Sequence, residues 1–285
     1  MKKFITMILA LVLSLGTVVS MTSCGTNAKL KIIDIALTDE QYAFVVKKGN
    51  TSLVNDFNAY LSVIKENGTF STLVNKYFKD EGTKVGYAVT TNTVTNDDTN
   101  FVVDTNCPFS PFEYLGKTDG KIYGLDIEIA AGFAASKNLT LVIKNIDFTT
   151  IFSEVDTGYA DIGMAGITIN AEREGIYDFT NTYYNASQKL IVAANNTVFD
   201  ACKTVEDVKT ILKSLSDKSL GFQIGTTGSM YVSGDEDWGY EGFSNITPKG
   251  YSTALLAAMD LINGNIYGVI VDDAPAAAIV KALND

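Results

Sequence analysis

The chain has 285 residues, 46% of them hydrophobic, and a formal charge of −11. That is enough apolar material for one large core or two of ordinary size, and the acidic balance argues against nucleic acid and against electrostatic adhesion to anionic lipid. Histidine is absent, which excludes His-based acid–base catalysis, Ser-His-Asp triads and His metal sites.

Met1-Lys2-Lys3 followed by the apolar run Phe4 to Val19 has the charged start and apolar centre of a secretory signal, and it is short for a membrane span. Met21-Thr22-Ser23-Cys24-Gly25 then resembles a bacterial lipobox, with Met21 where Leu is usual. Residues 1–23 are therefore expected to be a lipoprotein signal peptide, Cys24 the lipidated residue and 24–29 a tether. Two acyl chains on Cys24 would give stable membrane anchoring where one would not. The expected location is extracytoplasmic, on the outer face of the cell membrane or in the periplasm. Cys107 and Cys202 fall in different predicted lobes and are expected to stay unpaired.

Beyond the tether, Leu30 to Asp34 is a β-branched run that predicts a buried strand, and Tyr42 to Lys47 predicts another. Gly49-Asn50 reads as a turn. Thr51 to Glu66 places Leu53, Phe57, Leu61 and Ile64 at helical spacing, with Thr51 as the expected N-cap and Asn67-Gly68 as the stop. A second helix, Phe70 to Phe78, precedes a Thr-, Asn-, Asp- and Gly-rich stretch, Lys79 to Asn100, that reads as a linker. Its one apolar patch, Val85 to Val89, is compatible with an edge strand.

From Phe101 the pattern alternates between strand and helix: Phe101 to Asp104, Leu125 to Ser136, Thr140 to Lys144, Phe148 to Thr157, Ile162 to Ala165, Glu172 to Tyr177 and Leu190 to Ala194. It resumes with Val205 to Leu215, Ser219 to Gln223, Met230 to Val232, Tyr251 to Asn263, Val269 to Val271 and Pro275 to Leu283. Such alternation points to α/β sheets with helices on both faces, and two α/β lobes are the simplest reading. Asp272 and Asp273, adjacent at a predicted strand end, would face opposite ways and make a poor acid–base pair. The scattered Asp, Glu and Cys suggest no metal site, and no cofactor is expected.

Several motifs together resemble the bacterial extracellular solute-binding proteins of family 3, which supply amino acids to ABC transporters. Ala160 to Tyr184, ADIGMAGITINAEREGIYDFTNTYY, is similar to the family's signature run. The resemblance implies that Thr168 and Arg173 clamp a ligand α-carboxylate while the carbonyl of Gly166 faces the α-amino group. A guanidinium suits that task because it offers two parallel donors to a planar carboxylate. Leu220 to Val232, LGFQIGTTGSMYV, implies a backbone N–H near Thr227 and Gly228 on the same carboxylate and Gln223 beside the ligand side chain. Tyr267 to Ala276, YGVIVDDAPA, puts Asp272 opposite the ammonium, with Asp273 as runner-up. Thr105 to Tyr114, TNCPFSPFEY, implies Phe109 as an aromatic wall and Asn106 as a polar contact, and Phe148, in NIDFTTIF, matches the opposite wall. Cys107 and Pro108 depart from the commoner residues there.

The order of parts is unusual. Ala36 to Phe78 resembles the closing stretch of a family member, yet it precedes the opening motif at Thr105. The chain thus resembles a circularly permuted, type II periplasmic-binding-protein-like fold, or else a fusion of two gene remnants. The expected first lobe is 42–194, with 79–100 joining the original termini. The expected second lobe is 195–285 plus 30–34, and the crossing hinge segments are 35–41 and 192–198. The implied function is a lipid-anchored, non-enzymatic substrate-binding component of an ABC importer, a monomer whose partners are an amino acid, the transporter permease and, through its anchor, the membrane. The alternatives are an enzyme similar to cyclohexadienyl dehydratases, or a sensor or interaction lipoprotein that does not take part in transport.

Overall fold

The computed structural model describes residues 29–90 and 96–285, so the expected signal and Cys24 lie outside the described residues. In chain order the first part runs β1 (Leu30–Ile33), β2 (Glu40–Tyr42), β3 (Val45–Val46), α1 (Thr51–Glu66), α2 (Thr69–Phe78), β4 (Asn100–Thr105), β5 (Tyr114–Leu115), β6 (Ile122–Tyr123), α3 (Leu125–Ser136), β7 (Thr140–Asn145), α4 (Phe148–Thr157), β8 (Ile162–Gly163), α5 (Ala171–Ile176) and β9 (Asp178–Phe179). The remainder runs β10 (Tyr184–Ala186), β11 (Gln188–Ala193), α6 (Val205–Ser214), β12 (Lys218–Gln223), α7 (Thr227–Ser233), β13 (Ile246–Tyr251), α8 (Ala254–Ile262), β14 (Gly268–Asp272) and α9 (Asp273–Asn284).

Two five-stranded sheets organise these elements, in the orders β7-β4-β8-β3-β9 and β1-β11-β14-β12-β13. In the first, β4 is parallel to β7 and β8, and β3 lies antiparallel between β8 and β9. Strand alternation fills both faces of β4: Phe101 and Val103 join Phe57, Leu61 and Phe133 of α1 and α3, while Val102 joins Ile151 and Val155 of α4. The second sheet repeats the device. Val269 and Val271 of β14 meet Ala257, Leu261 and Ile279 of α8 and α9, and Ile270 meets Val208 and Tyr231 on the other face.

The two sheets are joined by residues 34–44 and 180–187, which run antiparallel beside each other. β2 pairs with β10, Thr180 N–H donates to Phe44 O (3.0 Å), Tyr183 N–H to Tyr42 O (2.9 Å), and Leu37 N–H to Gln188 O (2.9 Å). The expected second crossing at 192–198 is therefore displaced. Gln188–Ala193 is an inner strand of the second sheet, paired with β1 and β14, so the expected boundary at 194 divides the chain too late. An apolar run such as Leu190–Ala193 reads the same in either sheet, and only its pairing partners assign it.

Smaller corrections have local causes. The N-cap of α1 is Asn50, whose Oδ1 accepts from Leu53 N–H (3.3 Å), and Thr51 is the first helical residue. Within the expected linker, Tyr87 exchanges two backbone bonds of 2.9 Å with Ile122, and Thr90 N–H reaches Ile143 O at 2.8 Å. This is a bridge rather than a strand, and 91–95 lie outside the described residues. Among the described residues, Cys107 and Cys202 are both free and no helix is long and apolar enough to cross a membrane.

Candidate functional site

Strands β4, β8, β12 and β14 all end at one cleft between the sheets, the position where open α/β sheets bind ligands. Nine of the ten expected site residues line a single cavity there: Asn106, Phe109, Phe148, Gly166, Thr168, Arg173, Gln223, Thr227 and Asp272. Gly228 does not. Its missing side chain instead lets α7 approach Ile270 O and Gln188 Oε1, which a Cβ would meet at 3.0 and 3.1 Å.

Arg173 is held by local structure. Asn170 caps α5 by accepting from Arg173 N–H (2.9 Å), and the guanidinium donates to Thr168 O (2.6 Å) and, across the cleft, to Gly225 O (3.1 Å). Phe148, Phe152 and Trp238 surround it, with ring centroids 5.9, 5.0 and 4.9 Å from Cζ. Among the described residues no carboxylate lies within ion-pair distance of it. Burial pushes its pKa down to about 10, against the opposing pull of Glu40, Glu172 and Asp272.

Asp272 closes the other end. Its Oδ1 accepts from Tyr42 Oη (2.6 Å) and Gln188 Nε2 (2.9 Å). Burial, and then the charge of Glu40, raise its pKa to about 8, with the Tyr42 hydrogen bond opposing. Between the two ends, Gln223 Nε2 donates to Asn106 Oδ1 (2.7 Å) from the opposite sheet, and Asn106 Nδ2 is fixed on Ile146 O (2.6 Å). Gly166 sits at φ +53°, where a Cβ would strike the Phe109 ring at 2.6 Å, so only glycine fits. Its N–H donates to Asp126 Oδ2 (3.2 Å), which also accepts from Tyr183 Oη (2.9 Å).

The sequence reading missed Glu113, Ala165 and Thr226, which also line the cavity. Glu113 belongs to the PFEY motif itself, yet nothing in that motif tells its buried side chain from a surface one. Among the described residues, neither carboxyl oxygen of Glu113 has a hydrogen-bond partner. Burial, and then the nearby Asp126, raise its pKa well above the usual range, and burial raises Asp126 to about 7 against its two hydrogen bonds. Chemically the cleft offers a fixed cation at one end, a titratable acid at the other and an aromatic and amide wall between. That polarity matches a small zwitterion.

The family model for bacterial extracellular solute-binding proteins, family 3, matches residues 101–278. The chain is 28% identical over 181 residues to the "Probable histidine-binding protein" of Neisseria gonorrhoeae, covering 63% of this chain and 61% of that one. It is 26% identical over 177 residues to the "L-cystine-binding protein TcyJ" of Escherichia coli K12, covering 62% and 60%. It thus spans about 60% of the length of these curated relatives. Among solved structures, arginine-bound ArgBP from T. maritima, as a Gly52Ala mutant, aligns at TM-score 0.53 and 27% identity over 65% of this chain and 78% of that one. The ancestral amino acid-binding protein AncCDT-1, described as a precursor of cyclohexadienyl dehydratase, aligns at 0.56 and 25% over 65% and 74%. The match over 101–278, more than half of the chain, means that this chain belongs to the bacterial extracellular solute-binding proteins of family 3.

Proposed function

We propose that the protein captures a free amino acid in the intersheet cleft and presents it to an ABC transporter permease. The observation that carries this reading is the buried Arg173, unpaired with any carboxylate among the described residues and set in the same cavity as Asp272. A buried cation without a counter-charge is costly unless a ligand supplies one. In this reading Arg173 and Thr168 take the α-carboxylate, helped by the N–H group of Thr227, which has no partner within helix α7. Asp272 and the Gly166 carbonyl take the ammonium, while Asn106, Phe109, Phe148 and Gln223 face the side chain. Contacts from both sheets then stabilise closure.

A thermal-shift screen against the twenty amino acids and cystine tests this. A ligand at a hundred times its Kd adds about 2.7 kcal/mol, a shift of several degrees. A cooperative melt that no amino acid moves would overturn the reading.

The protein in this proposal is a monomer held to the membrane through Cys24, and mass spectrometry of the mature N-terminus tests the lipid. The chain order is a circular permutation of the family's. Its support is that residues 30–100 lie outside the matched span and still provide β3, between β8 and β9 of the first sheet. In addition, Asn284 binds the start of β1, accepting from Lys29 N–H (2.8 Å) and Leu30 N–H (3.0 Å) and donating to Leu30 O (2.9 Å).

An enzyme is the second reading. A carboxylic acid such as Glu113, kept neutral in a cleft by burial, has the character of a general acid, and one similar structure is that of a dehydratase precursor. Turnover of a prephenate-like substrate that is lost in Glu113→Gln would favour it.

A further inference from the structure

Both ends of the cleft are wired to the segments that join the two sheets. Thr168 Oγ1 donates to Glu40 Oε2 (2.7 Å), and Thr38 Oγ1 donates to Glu40 Oε1 (2.5 Å). The Thr38 hydroxyl also accepts from Gln188 N–H (2.8 Å), and Gln188 Nε2 reaches Asp272 Oδ1 (2.9 Å). Glu40 belongs to β2 on one crossing segment and is paired with Ala186 on the other. The loop bearing Thr168 is laid against the same strand, through Ala43 N–H to Ile167 O and Ile169 N–H to Gln41 O, both 3.0 Å.

Glu40 is only 4% exposed. A buried carboxylate is retained at a cost, so one that spans two loops and a hinge ribbon invites a reason. It does not line the cavity that holds Arg173 and Asp272, so its influence on a ligand runs through Thr168 and through its charge.

We propose that Glu40 is a positioning residue that couples occupancy of the cleft to the geometry of the two crossing segments, by fixing the Thr168 hydroxyl at one end and, through Thr38 and Gln188, Asp272 at the other. This rests on the amino-acid-binding reading. When the sheets separate, the crossing segments must bend, and the network makes the loss of ligand contacts at both ends part of one event. Glu40 also faces Asp272 electrostatically, together with Tyr42, Asp273, Arg173, Tyr184 and Tyr240. Removing its charge leaves fewer like charges opposing ionisation of Asp272.

The test is stopped-flow and equilibrium binding of the twenty L-amino acids and L-cystine to the full chain and to three variants, repeated from pH 5 to 9. Glu40→Gln is expected to bind about tenfold more weakly through faster dissociation, with the midpoint of its affinity–pH curve moved to lower pH. Glu40→Asp, which keeps the charge and shortens the reach, should dissociate faster with the midpoint unmoved. Thr38→Ala, at a less buried position, should repeat the faster dissociation if Glu40→Gln folds poorly. A wild-type protein that binds nothing would overturn the function and this inference together. Ordinary wild-type binding, with dissociation rate and pH midpoint unchanged in the variants, would overturn the coupling alone.

Discussion

The cation end and the acid end of the cleft are built on opposite principles. Arg173 comes from helix α5, between β8 and β9 of the first sheet in the chain, gives its hydrogen bonds to carbonyls and stacks among three aromatic rings. It keeps its charge, because burial brings a guanidinium down only to about 10. Asp272 comes from the second sheet, has two donors on one oxygen and is still pushed to about 8. The pair teaches that depth of burial alone does not decide protonation. A base with a very high intrinsic pKa absorbs the desolvation penalty and stays charged, whereas a carboxylic acid crosses neutrality. The unliganded cleft at neutral pH is therefore fixed and positive at one end, and titratable at the other.

The sharpest way to break this comparison is Arg173→Ala. Truncating one member of a buried charge pair costs about 2–5 kcal/mol, so amino-acid binding should weaken by roughly 30-fold or more at every pH. Calorimetry that found unchanged affinity would remove Arg173 from the site.

Asp272→Asn should cost less near neutrality, where the wild-type acid is largely protonated, and more at pH 8.5, where it is charged. The same variant should gain stability. Between the ordinary carboxylate value of 3.8 and about 8, the unfolded chain has released the Asp272 proton while the folded chain retains it. Folding stability contributed by this group therefore falls as pH rises through that window. Unliganded wild type should melt lower at pH 8 than at pH 5, and Asp272→Asn should show a smaller drop.

A finer comparison follows wild-type affinity across pH. If ammonium capture requires ionised Asp272, affinity should fall about tenfold per unit below pH 8, and binding should release a proton. Isothermal titration in buffers of different ionisation enthalpy measures that release, and the Arg173 end should add no titration between pH 5 and 8. The smallest effect expected is that of Trp238→Ala. This residue reaches Arg173 from the segment between α7 and β13 at 4.9 Å and anchors its Nε1 on Glu172 at 2.6 Å. Losing the stacking should cost about 0.5–2 kcal/mol, seen as faster dissociation.

Most of the helices of the first sheet were legible because their apolar residues repeat at helical spacing. Phe57, Leu61 and Ile64 of α1 are the buried face that the sequence predicts. Strand β13 was not legible: ITPKGY buries only Ile246 and reads as loop, and it becomes a strand by pairing in parallel along the whole of β12. The site divides in the same way. Thr168, Arg173 and Asp272 were legible because each sits in a motif with fixed offsets from a strand end. Glu40, Tyr42, Gln188 and Glu113 were not, since a carboxylate, a phenol or an amide in a linear sequence gives no sign of which buried partner it will meet.

The sequence by itself determined the alternation of strands and helices, the family likeness and the residues that bring a cation and an acid to the cleft, because these depend on periodicity and short-range spacing. Only the tertiary structure decided that β11 lies in the second sheet and that residues 180–187 form the second crossing. It alone placed Glu40, distant in sequence from both Thr168 and Asp272, in one hydrogen-bond network with them. The reason is physical: strand pairing and desolvation are set by neighbours far away along the chain, and they take effect only when the two sheets come together.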